Sequence, residues 1–138
     1  MKKLALTDFA KYRYPSALEL SPDGRYLTFA LKEVDREGDG YRWNLWLYDL
    51  ESRESRQITR GDDQRQAVWE DNTHILYKTT ELDEAMRARG FEEEWTVYHR
   101  LNVCTGEERE AFRLPMSVSG LWKMDEGRYV FTGETHLD

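Results

Sequence analysis

The chain has 138 residues, 39% hydrophobic and 13% aromatic, which is enough to build one ordinary domain and argues against disorder. Its 20 Lys and Arg against 27 Asp and Glu leave a net charge of −7, which argues against a nucleic-acid-binding surface. The single cysteine, Cys104, excludes an intrachain disulfide and a cysteine-rich zinc site, and no window approaches the roughly 20 apolar residues of a membrane helix. Met1-Lys2-Lys3 is followed by an acid after a few positions and gives no apolar signal core, so we expect a cytoplasmic protein with no membrane or nucleic-acid partner and no cofactor.

In chain order, Thr7 or Asp8 can cap a short helical turn that Pro15 stops, so residues 1–14 read as a lead-in segment. Strand signals follow. Ala17 to Leu20 leads into Ser21-Pro22-Asp23-Gly24, where Pro22 pre-sets φ, Asp23 can bond its own backbone and Gly24 takes a positive φ. Arg25 to Leu31 is the next strand, and Glu33 to Arg42 reads as a polar loop. Trp43 to Leu50 is the strongest strand of the chain, and Glu51-Ser52-Arg53-Glu54 turns it into Ser55 to Thr59. Residues 15–60 thus form a unit of four strands.

The same order then returns. Gln66 to Trp69 leads through Asp71-Asn72 into Thr73 to Tyr77, with Asp71 standing 48 positions after Asp23. Trp95 to Val103 matches the Trp43 strand, Thr105-Gly106-Glu107 is its turn, and Arg109 to Leu114 is the fourth strand. Residues 61–115 form this second unit, with an insertion over 81–94 in which Leu82, Ala85 and Met86 share a helical face that Gly90 ends. A third round over 116–138 begins at Ser117 to Trp122 and reaches Gly127-Arg128-Tyr129 before the sequence stops. Four short strands repeating at about 50 residues are the sequence sign of a β-propeller. We expect an all-β partial propeller of about two and a half four-stranded antiparallel blades with a short helical insertion. Because a propeller closes with roughly 4–8 blades, we expect the chain to be part of a longer protein and to self-associate through exposed blade edges.

Asp35-Arg36-Glu37-Gly38-Asp39-Gly40 spaces its carboxylates as a calcium loop does, but Trp46 stands where the bidentate Glu belongs, so it reads as a solvated connection. Ser117-Val118-Ser119-Gly120 lacks the leading Gly of a nucleophile elbow and reads as an inner strand. His74, His99 and His136 read as structural or surface residues, and Cys104, beside a turn, as unreactive. Trp43, Trp46, Trp69, Trp95 and Trp122 recur at strand positions and read as blade-to-blade packing. Glu92-Glu93-Glu94 reads as a solvated acidic loop.

Asp8-Phe9 to Tyr14, Ser21-Pro22-Asp23-Gly24-Arg25-Tyr26-Leu27-Thr28-Phe29-Ala30, and Asn44 to Leu50 followed by Gln57-Ile58-Thr59 together resemble a known family. They look like the N-terminal propeller of bacterial acylaminoacyl-peptidase-like enzymes in the prolyl oligopeptidase family. The resemblance implies a propeller ahead of an α/β-hydrolase domain with a Ser-Asp-His triad, gating which peptides reach it. It implies a non-catalytic role for these 138 residues, with the chain's own hydrolase domain and a peptide substrate as partners. It also offers a second reading of Phe91-Glu92-Glu93-Glu94, which is similar to the Glu pair with which dipeptidyl-peptidase relatives hold a substrate amine. The alternative is a TolB-like or scaffold propeller that binds a protein partner, since Ser-Pro-Asp-Gly turns also occur there.

Overall fold

The computed structural model describes residues 15–35, 40–82, 84–88, 94–125 and 128–134. The lead-in 1–14, His136 and the pair Glu92-Glu93 lie outside them. Among the described residues ten strands and one short helix follow in the order β1 (Pro15–Leu20), β2 (Tyr26–Asp35), β3 (Gly40–Asp49), β4 (Glu54–Gln57), β5 (Val68–Trp69), β6 (His74–Leu82), α1 (Glu84–Ala88), β7 (Glu94–Asn102), β8 (Glu108–Leu114), β9 (Ser117–Asp125) and β10 (Arg128–Glu134). They form two four-stranded antiparallel meanders, β1-β2-β3-β4 and β5-β6-β7-β8, and a two-stranded sheet of β9 and β10. Each meander is one blade.

The turns carry the repeat at atomic level. In the first blade, Ser21 N donates to Tyr26 O (2.8 Å), Gly24 adopts φ 74°, and Asp23 Oδ1 accepts from Arg25 N (3.1 Å) and the Ser21 hydroxyl (2.7 Å). In the second, Glu70 N donates to His74 O (2.9 Å), and Asp71 Oδ1 accepts from Thr73 N and His74 N, both at 2.8 Å. An aspartate pins the turn in each case, as a short acceptor side chain can. The two turns also touch, because Asp23 N donates to Asn72 Oδ1 at 3.0 Å. After the third strands, Asp49 Oδ1 accepts from Glu51 N (2.9 Å), and Asn102 Oδ1 accepts from Cys104 N (2.9 Å). The left-handed position that closes each turn is Arg53 (φ 61°) in one blade and Gly106 (φ 79°) in the other.

The connections between blades are strapped at equivalent places. Residues 62–64 are tied to the third strand of blade one through Trp43 N to Asp62 O (3.0 Å) and Gln64 N to Trp43 O (2.9 Å), while Asn44 and Asp62 exchange two bonds at 3.0 Å. Fifty-three positions after Trp43, the buried Thr96 hydroxyl donates to Met116 O (2.7 Å) and accepts from Val118 N (3.1 Å).

The core lies between sheets. Ala30, Leu45 and Leu47 of blade one pack on Ala67, Trp69, Ile75, Tyr77, Leu101 and Val103 of blade two. Leu76 and Tyr98 of blade two pack on Val118 and Leu121 of the third sheet. The other face of blade one gathers Leu27, Phe29, Leu31 and Tyr48. Burial of large apolar and aromatic side chains across stacked faces stabilises the array.

Three expectations shift. In its described part the polar loop expected from Glu33 to Arg42 is instead a continued ladder, with Glu33 opposite Arg42, Val34 opposite Tyr41 and Asp35 opposite Gly40. Cross-strand contacts hold it: Arg42 Nη2 lies 3.7 Å from Glu33 Oε2, and Lys32 Nζ sits 3.8 Å above the Tyr41 ring. Leu82 is not helical but ends β6 opposite Glu94, and α1 begins at Glu84, whose acid suits a helix start. The tryptophans divide: Trp69 and Trp43 pack between the blades, Trp46 packs on the opposite face of blade one, and Trp122 is 51% exposed.

Candidate functional site

Of the three acids singled out by sequence, only Glu94 is described. It opens β7, exposed, opposite Leu82. The calcium-like run is interrupted in the same way, since Asp35 and Gly40 face each other at the end of a hairpin and the residues between them are outside the description. No cluster of metal-ligating side chains occurs among the described residues.

The other sequence candidates have definite places. Ser119 is on β9 and its hydroxyl bonds to Thr132 O (3.1 Å) and Thr132 Oγ1 (2.8 Å), far from strand-to-helix elbow geometry. His74 Nδ1 lies 3.0 Å from Asp71 Oδ1 and 3.1 Å from Thr73 Oγ1, within the turn that Asp71 pins. His99 stacks on Tyr77 (5.2 Å between centroids) and its Nε2 meets Thr79 Oγ1 at 2.8 Å. Burial holds the His99 imidazole below its usual pKa, against the pull of Glu110 and Glu81.

Two constellations were not visible in the sequence. The first is a cleft of about 310 Å³ at the rim between the blades, lined by Tyr26, Asp49, Ser55, Arg56 and Cys104 among others. Tyr26 stacks on Trp69 (6.3 Å, 10° between planes), its hydroxyl lies 3.5 Å from Cys104 Sγ, and Arg56 donates to Val103 O. The Cys104 contact, with burial, pushes the Tyr26 phenol up. Burial works to raise the Asp49 carboxyl, but the Glu51 and Ser52 amides and Arg25 outweigh it and hold it below its ordinary value. These charged groups secure turns and the blade junction.

The second is centred on Glu70. Arg100 grips its carboxylate through Nε to Oε1 (2.5 Å) and Nη2 to Oε2 (3.1 Å), the Tyr129 hydroxyl donates to Oε2 (2.6 Å), and Lys123 Nζ donates to the Glu70 carbonyl. Burial would raise this carboxyl, but Arg100 and Tyr129 reverse the balance and hold it low. Burial and the Glu70 bond in turn push the Tyr129 phenol up. The geometry is that of a clamp between blade two and the third sheet. A composition-based reading could not find it, because its members lie 30 and 59 positions apart.

No family model matches the sequence, and no curated protein matches it. Among solved structures, the chain is similar to the β-propeller domain of the Trilobed protease from Pyrococcus furiosus, described as having an open velcro topology, with a TM-score of 0.60 over 89% of this chain at 14% identity. The fold is a partial β-propeller. The chain spans 34% of the length of that neighbour.

Proposed function

We propose that these residues are the non-catalytic propeller portion of a serine peptidase of the prolyl oligopeptidase and acylaminoacyl-peptidase type. In this reading the blades restrict which peptides reach an α/β-hydrolase domain elsewhere in the same protein, and the partners are that domain and the peptide substrate. The observation that carries the proposal is the likeness over 89% of the chain to a propeller that belongs to a protease. The family resemblance of the Ser21 to Ala30 and Asn44 to Leu50 runs supports it independently. The side chains described above brace blades against each other, which suits a scaffold around a reaction centre better than a reaction centre. A lone cysteine fits a reducing, cytoplasmic setting.

Sequencing the gene beyond the codon for Asp138 tests the proposal. The expected result is further four-strand repeats followed by Gly-x-Ser-x-Gly-Gly between a strand and a helix. A reading frame that completes a propeller without a hydrolase domain would overturn it in favour of a scaffold.

A further inference from the structure

We propose that the lead-in segment, residues 1–14, docks on the outer face of blade one, the face turned away from blade two. The argument does not rest on the peptidase reading. Leu27, Phe29, Leu31 and Tyr48 line that face, with Trp46 and Leu50 packed against them. Among the described residues no second sheet lies over it, because blade two stacks on the opposite face, against Ala30, Leu45 and Leu47. Even so, Phe29 is 0% exposed, and Leu27 and Tyr48 are each 4% exposed.

The third sheet shows what an uncovered face looks like in the same molecule. On its side away from blade two, the cross-strand partners Trp122 and Val130 are 51% and 46% exposed. Side chains stand roughly perpendicular to a sheet, so strand neighbours screen their flanks and leave their tips free. Trp46, directly across the ladder from Phe29, stacks on it at 6.5 Å between centroids and covers one such flank. The tip of Phe29 needs a cover from outside the sheet.

The position of the remaining stretches singles out that cover. Residues 36–39 join Asp35 to Gly40, at the opposite end of the ladder from the Leu27–Tyr48 pair. Residue 83 and residues 89–93 belong to the insertion of blade two, and 126–127 and 135–138 join or follow the strands of the third sheet, all beyond the inner face of blade one. Residues 1–14, by contrast, lead into Pro15, which pairs with Leu31 and so shares the outer face with it. Even wound as a helix, 14 residues span about 21 Å, against about 15 Å across four strands. Leu4, Leu6, Phe9, Tyr12 and Tyr14 give the segment apolar and aromatic surface to set against Phe29 and its neighbours. Any blade that a longer protein brings up to this face would meet the segment first.

Photocrosslinking of the 138-residue chain tests the proposal, with p-benzoylphenylalanine in place of Phe9 and, in a second variant, of Tyr12. Irradiation should give crosslinks within one chain, mapped after trypsin digestion to the peptides 26–32 and 43–53 that carry the outer face of blade one. Crosslinks only between chains would assign the cover to a second copy, and crosslinks confined to blade two or the third sheet, or none, would leave the face without this occupant. Each of these results would overturn the proposal. Limited proteolysis of the folded chain supplies a second measure. Phe9→Ala should speed cleavage after Lys11 and Arg13 by about tenfold or more, because trypsin reaches those bonds only from the undocked segment. Cleavage there at the same rate in the variant and the parent would contradict docking.

Discussion

Glu70 shows how much of the fold's cohesion can pass through one side chain. It is only 15% exposed, it takes a two-point grip from Arg100, and the Tyr129 hydroxyl completes its shell. Tyr129→Phe removes one bond to a charged acceptor and leaves the ring packing, so it should cost about 1.5–2 kcal/mol in urea unfolding. Glu70→Ala strands a half-buried guanidinium as well and should cost about 2–3 kcal/mol. The pH dependence follows in sign. The Glu70 carboxyl is held below its ordinary 4.5, and that of Asp71, where turn amides and His74 outweigh the effect of burial, is lowered from 3.8 to about 2. Both stabilise the folded state above the unfolded values and lose that contribution as pH falls through the folded ones. Stability should therefore drop on acidification from about pH 4.5 towards 2, and Glu70→Gln, weaker at neutral pH, should lose less over the same interval. At the acidic cluster, the reading as an amine-holding motif predicts that Glu93→Gln with Glu94→Gln in the complete protein weakens substrates with a free amino terminus selectively. An unchanged substrate profile would return these residues to a solvated loop.

At the scale of elements, the turns set the register of the blades. Gly106 sits at φ 79° with nothing within 4 Å of an added Cβ, so Gly106→Ala meets backbone strain alone and should cost about 1 kcal/mol. Gly40 has the same open space without a positive φ, and Gly40→Ala should stay within about 0.5 kcal/mol of the parent. Thermal or urea unfolding of the two variants isolates the cost of the left-handed conformation, since neither site is crowded. The alternation around Pro22-Asp23-Gly24 and its echo at Asp71-Asn72 made the strand order legible without coordinates, because turn chemistry is local. The length of the β2–β3 hairpin was not legible. Its far end is polar in sequence, and what keeps it paired is contact across the ladder, Lys32 with Tyr41 and Glu33 with Arg42, which a linear pattern does not display. The rim cleft and the Glu70 clamp escaped for the same reason on a larger scale. Tyr26 meets Cys104, and Glu70 meets Tyr129, only once whole sheets have stacked.

For the molecule as a whole, sheets stack face to face with the core between them, and each added sheet covers the face of the one before. That arrangement gives neighbouring blades a common packed frame, tied together by turns, straps and clamps. The proposed function makes this frame the gate of a peptidase whose nucleophile lies outside these 138 residues. Labelling with a fluorophosphonate probe of serine hydrolases tests that claim most directly, applied side by side to the 138-residue chain and to the product of the complete reading frame. The account predicts a labelled serine in the complete product, located by peptide mapping outside residues 1–138, and no label on the shorter chain. Label on a serine within the 138 residues, or none on the complete product, would contradict it.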